Sequence, residues 1–208
     1  MNITFIIILV ATIAISYQGF NNASFFNRYK FNVGAVQKGD YVRLLSSGFL
    51  HADWQHLIFN MVSLYFFQDV IIGSMGNLLF LLIYFGSMLL GSIFSLRIYK
   101  RQPYYSAIGA SGAVSGIIFA AIALYPTALS VNFLPGWLFG ALYFSYSVFM
   151  MFNPQQGDNL GHTAHLGGAL FGLAVVVVYA PEIVIQHAFY LGVMALPLGY
   201  MGVRLLKK

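Results

Sequence analysis

The chain has 208 residues, of which 60% are hydrophobic and 7% charged, with a formal net charge of +5 and a mean hydropathy of +0.79. An ordinary soluble domain carries roughly 25% charged residues, so this composition excludes a soluble globular protein and reads as a polytopic membrane protein. The ten Lys and Arg are scattered, which excludes a nucleic-acid tract, and the lack of cysteine excludes disulfides, thiolate metal sites and a cysteine nucleophile.

A membrane helix needs about 20 apolar residues. Seven segments answer to that: 2–20, 54–73, 77–98, 109–126, 131–152, 162–180 and 183–206. The expected fold is therefore all-α, a polytopic helical bundle. The stretch 3–15 has no basic n-region and no small-residue cleavage site after it, so it reads as the first span rather than a signal peptide. The connection 21–53 is long, with polar turns, aromatics and Arg28, Lys30, Lys38 and Arg43, and is a candidate for an interfacial helix. Asp53 and Trp54 suit a cap and an interfacial anchor for the second span, at whose start stand His51, His56 and Asn60. The fourth span opens at Gly109-Ala110-Ser111-Gly112, and the sixth at His162 and His165, behind a polar loop 153–161 that contains Gly157, Asp158 and Gly161. Gly192, Pro197, Gly199 and Gly202 interrupt the seventh, which also carries Gln186 and His187. An interfacial hairpin is the alternative there.

Spans two, four and six begin on one face of the membrane, and the polar residues cluster at those beginnings. Ionisable and polar groups at membrane depth are functional candidates. Gly109, Gly112 and Gly116 line one side of the fourth span, and Gly168 and Gly172 follow His165 on the sixth, so the two helices are expected to approach closely. Ser111 and His165 would then lie within hydrogen-bond reach, a nucleophile beside a base. A helix start leaves backbone N–H groups unpaired beside Ser111 and favours a developing anion there. His56 and Asn60 share a helix face four residues apart and can donate from a second direction.

At these residues the chain resembles the rhomboids, a family of intramembrane serine proteases. The likeness covers about 43–172. It rests on Arg43, His51-x4-His56-x3-Asn60, Gly109-x-Ser111-Gly112 and Ala164-His165-x2-Gly168-x3-Gly172. It implies a six-helix core with a Ser–His dyad, in which Ser111 is the nucleophile and His165 the general base. His56, Asn60 and the Ser111 backbone N–H would bind the oxyanion. His51 and Arg43 fall where the family has structural or loop-organising residues. Three positions depart from the pattern. Ser115 stands where some members have an aromatic that stacks on the histidine, Gln68 and Ile72 replace glycine and glutamate, and Val42 replaces a tryptophan.

The expected organisation is a six-helix catalytic core over 1–182 and a C-terminal helix with a basic tail over 183–208. The expected activity is serine endopeptidase cleavage in or near transmembrane helices of membrane proteins. No cofactor, metal, nucleotide or nucleic-acid partner is called for. The alternatives are an inactive rhomboid-like protein that binds membrane helices, and a transporter or metal protein built on His51, His56 and His162. Asp158 is a solvated loop residue or a third catalytic member, and His162 an interfacial residue at the helix mouth. The resemblance implies a multi-pass protein of a bacterial plasma membrane with its site on the outer face. With seven crossings all ten Lys and Arg fall on the site's face, and the charge rule makes that face cytoplasmic.

Overall fold

The computed structural model describes residues 2–155 and 161–207. They form a helical membrane bundle with only two short two-stranded ladders. The first span is Ile3–Asn21, capped by the Asn2 side chain, which accepts from the Thr4 N–H at 2.8 Å. The second and third spans are the two arms, 54–75 and 77–98, of one long helix, Trp54–Ile98, divided at Gly76. Gly76 has φ 81° and ψ 170°, a backbone that glycine adopts without a steric penalty. Asp53 caps the first arm by accepting from the His56 N–H at 2.7 Å, as its position suggests. The remaining spans are Ser111–Leu124, Gly136–Phe152, His162–Tyr179 and Ala188–Leu206.

The fourth span is shorter than the expected 109–126. It has 14 residues, about 21 Å at 1.5 Å per residue, against a hydrocarbon core of about 30 Å. Pro126 restricts Tyr125 and stops the helix at one end. Gly109, at φ 110°, turns the chain into it at the other. Twelve of those residues are buried, from Gly112 to Leu124 with Ile118 the exception. One face joins Phe5, Leu57, Leu64, Ile83 and Tyr84 in a core with the first three spans. The other, through Phe119 and Ile122, joins Phe144, Leu166 and Met194 of the later ones. A helix enclosed on both sides need not match the bilayer thickness, and Ser111 is its first residue, directly after the turn at Gly109.

The fifth span also begins later than expected, because Ser130–Val131 and Leu134–Pro135 pair as a tight hairpin around Asn132 and Phe133, both at positive φ. Gly112 and Gly116 meet Gly168 and Gly172 as the small-residue pattern suggests. A Cβ at Gly168 would collide with the Gly112 carbonyl oxygen, and one at Gly172 with that of Gly116. The seventh helix is continuous through Pro197, preceded by the short Pro181–Gln186, and packs mainly on the fifth, with Met194 filling the hollow at Gly140.

The long first connection holds three short helices, Ala23–Tyr29, Val33–Gln37 and Arg43–Ser46, the first two capped by Asn22 and Asn32. Phe31 and Asn32 pair antiparallel with Ala107 and Ser106, which ties this loop to the segment that leads into Ser111. Arg43 organises it, donating to Asp40 at 2.8 Å and to the carbonyls of Asn27 at 2.9 Å and Lys30 at 2.8 Å. That hydrogen bond from Arg43 holds the Asp40 carboxyl below its ordinary range.

Candidate active site

Ser111 is the first residue of its helix and His165 the fourth of the sixth span, and both are half-buried. The His165 Nε2 and the Ser111 Oγ lie 2.7 Å apart. The glycine contacts explain why. With no side chain at Gly112, the fourth helix closes on the sixth at Ala164, the neighbour of His165. For His165 to accept the hydroxyl proton its Nε2 must be bare, with the ring proton on Nδ1.

The first hydrogen bond inside the fourth helix runs from the Val114 N–H to the Ala110 carbonyl at 2.9 Å. The N–H groups of Ser111, Gly112 and Ala113 therefore have no partner within the helix, beside the serine oxygen. His56 is half-buried, and its ring lies against Gly109. A Cβ there would fall 2.7 Å from His56 Cε1 and 2.8 Å from Nε2, so glycine is needed at 109 for space as well as for its φ. Asn60, one turn deeper and 3% exposed, donates one amide N–H to the His56 carbonyl at 3.0 Å. A primary amide carries a second N–H.

His51, which the sequence set outside the reacting groups, and Ser47, which it did not single out, hold the approach to Ser111. The Gly109 N–H donates to the Ser47 carbonyl at 3.0 Å, and the Ala110 N–H to His51 Nε2 at 3.3 Å. His51 is fully buried. Because its Nε2 accepts, its proton is on Nδ1, which donates to Ser16 Oγ at 2.9 Å. The Ser16 hydroxyl donates in turn to the Phe49 carbonyl at 2.8 Å. Burial, helped by the nearby His56, pushes the His51 pKa down to about 3, so the ring stays neutral and the relay keeps one direction. Both ring nitrogens are engaged, which removes His51 from any metal shell. The signal for this strap was in the first span, where Ser16 is a hydroxyl within an apolar helix.

His162 stands at the mouth of the sixth span as its first residue, but it is buried by its neighbours. It is 5% exposed, and its ring packs edge-on against Tyr146 at 5.2 Å. One aromatic neighbour of His165 comes from the fifth span. Tyr143 lies 6.2 Å from the imidazole, ring centre to ring centre, and shares a 3.1 Å hydrogen bond with Ser115. A cavity of about 30 Å³ opens beside Ser111 and is lined by Ser47, Ser92, Ser95, Gly109 and Gly161. Its wall is mixed, with Phe31, Ala107 and Ile108 beside the serines, and it is large enough for a water molecule. Asp158 and Gly157 lie outside the described residues.

A family model described as the Rhomboid domain matches residues 38–182. RHOMBOID-like protein 12, mitochondrial, of Arabidopsis thaliana is 28% identical over 79% of this chain and 54% of its own length. YdcA, a rhomboid relative from Bacillus subtilis (strain 168), is 31% identical over 68% of each chain. The human presenilin-associated rhomboid-like protein, mitochondrial, is 30% identical over 68% of this chain and 38% of its own. The chain thus spans about half the length of the Arabidopsis relative and less of the human one.

Proposed function

The chain belongs to the rhomboid family, and we propose that it is an intramembrane serine endopeptidase that cleaves a peptide bond in or near a transmembrane helix of another membrane protein. The observation that carries this reading is the 2.7 Å approach of His165 Nε2 to Ser111 Oγ at the start of a buried helix.

In the proposed reaction the Ser111 oxygen attacks the scissile carbonyl carbon as His165 Nε2 takes the hydroxyl proton. The carbonyl oxygen becomes an anion that faces the Ser111 N–H, with His56 and Asn60 as side-chain donors. One such donor is typically worth about 3–4 kcal/mol of barrier. His165 passes its proton to the leaving amine, and the C–N bond breaks to leave an acyl-serine. A water from the polar side of Ser111 gives its proton to His165 and attacks the ester carbon, releasing the new carboxylate and restoring the hydroxyl. An intact helix hides its carbonyls in hydrogen bonds, so substrates with small or helix-weakening residues near the bond are favoured.

Residues 1–182 are proposed as the catalytic unit and 183–208 as an appended segment, a division supported by the end of the Rhomboid domain match at residue 182. The protein is a multi-pass integral membrane protein. The Arabidopsis and human relatives are mitochondrial by name, so the expectation of a bacterial plasma membrane draws no support from them.

Cleavage of a reporter transmembrane helix by the purified chain, with fluorophosphonate labelling in parallel, tests the assignment. The wild type should cleave and be labelled, and Ser111→Ala should do neither at unchanged expression. A folded wild type that binds the reporter but neither cleaves nor labels would return the reading to a helix-binding, inactive relative.

A further inference from the structure

The fifth and seventh helices end side by side. The ring of Phe152, the last residue of the fifth, is 6.4 Å from Tyr200 on the seventh, and the Arg204 guanidinium lies over Phe152 at 5.0 Å. Asn153 leads from there toward His162, so both ends belong to the face on which the sixth span begins, the face of Ser111. Between the helices lies a cavity of about 280 Å³, walled by Val148, Phe149, Phe152, Pro197, Tyr200 and Arg204. Its origin is in the packing. Met194 and Met201 are the buried residues of the seventh helix and press it onto the fifth, whereas Pro197 between them presents a short ring.

The cavity is graded in polarity. Arg204 stands at its mouth, and Pro197, seven residues back, lies roughly 10 Å deeper at 1.5 Å per residue. Arg204 is exposed and is fixed from two sides, by the Phe152 ring and by donation from Nη1 to the Tyr200 hydroxyl at 3.0 Å. A guanidinium has five N–H donors, so one bond to a phenol leaves donors for an anion. Among the described residues the ion pairs involve Arg28, Arg43 and Asp40, and none includes Arg204. Ser145 and Asn153 also border the cavity, but their side chains donate to the Ala141 and Phe149 carbonyls of their own helix. The site thus offers one held cation above an apolar slot.

We propose that this groove binds a single anionic phospholipid, its phosphate on Arg204 and the start of one acyl chain against Val148, Phe149 and Pro197. Charge complementarity selects the occupant. A net-negative headgroup gains from Arg204 and from Lys207, which caps the same helix, whereas a choline headgroup brings its own cation to that mouth. The site is separate from the Ser111–His165 pair and holds whether or not the chain is a protease.

The test extracts the full chain from vesicles of equimolar phosphatidylcholine and phosphatidylglycerol and reads retained lipid by native mass spectrometry, with thermal melting in each lipid alone. The wild type should retain phosphatidylglycerol in preference to phosphatidylcholine and melt higher in it, and soluble glycerol phosphate should give no shift. Arg204→Gln should lower retention about tenfold and leave melting in phosphatidylcholine unchanged. Arg28→Gln, an exposed arginine of the first loop, should retain lipid as the wild type does. Pro197→Trp, at a half-buried wall of the slot, fills it without touching the charge and should also lose retention, with melting in phosphatidylcholine unchanged. Equal retention of both lipids, or wild-type retention by Arg204→Gln, overturns the site. Wild-type retention by Pro197→Trp reduces Arg204 to a surface charge and overturns the groove.

Discussion

Ser115 and Tyr143, on the fourth and fifth helices, share a 3.1 Å hydrogen bond that holds the tyrosine ring 6.2 Å from the His165 ring. A small hydroxyl on the helix of Ser111 makes room for an aromatic from the neighbouring helix, with Phe119 at 5.3 Å and Phe139 at 5.8 Å around it. The imidazole thus has an aromatic flank despite the serine four residues after Ser111.

Tyr143 acts on His165 through position, so its two parts separate by mutation. Tyr143→Phe keeps the ring and should lower kcat/KM by less than about tenfold. Tyr143→Leu removes the flank and should cost about 1–2 kcal/mol of transition-state stabilisation, read mainly in kcat. A shift of the acidic limb of the kcat/KM profile in Tyr143→Leu, at unchanged melting temperature, separates positioning from folding. An unchanged profile assigns Tyr143 to packing.

Ser111 and His165 work as one unit under the proposed mechanism, so their losses should not add. Ser111→Ala and His165→Ala are each expected to remove at least about a thousandfold of reporter cleavage, and the double variant no more than the worse single one. Additive losses would mean that the two side chains act in separate steps.

His56 is expected to matter in the transition state alone. His56→Ala should lower kcat about a hundredfold or more and leave KM within about twofold, the pattern for a lost oxyanion donor. The smaller Asn60→Ala effect should be of the same type. A rise in KM at constant kcat would instead assign His56 to substrate binding.

The neutral, buried His51 makes stability depend on pH in a definite direction. Its folded pKa, about 3, is below the unfolded value of about 6.5, so the unfolded chain binds the proton first. The stabilisation is full above pH 6.5 and is lost progressively as pH falls toward 3. The Asp40–Arg43 pair has the same sign at lower pH, because a lowered carboxyl pKa stabilises above the ordinary carboxylate range and fails as pH drops below it. Melting of the wild type against His51→Gln, followed from pH 7.5 downward, should show the wild-type advantage shrinking below about 6.5. A constant difference would refute the relay from Ala110 through His51 to Ser16.

The contact of the fourth and sixth helices has no spare volume. A methyl at Gly168 meets the Gly112 carbonyl, so Gly168→Ala should cost roughly 1–3 kcal/mol and move Ser111 from His165. Lowered melting temperature together with lowered kcat is the expected result. Full activity at wild-type stability would show that the helices can separate freely at that point.

Much of this was legible along the chain. Hydropathy alone located the crossings, because a segment in hydrocarbon must be apolar over a length that the bilayer sets. Parity put Ser111 and His165 at helix starts on one face, and the spacing of Gly112, Gly116, Gly168 and Gly172 showed where two backbones could touch. Asp53 announced its cap, since that bond is local. Other features had no local signature. The shortness of the fourth helix follows from its enclosure, which depends on every neighbour. The bonds of His51 to Ser16 and Ala110, and of Ser115 to Tyr143, join residues 35, 59 and 28 positions apart. Periodicity shows which face of a helix is apolar but not which helix will meet it, and only packing in three dimensions makes that choice.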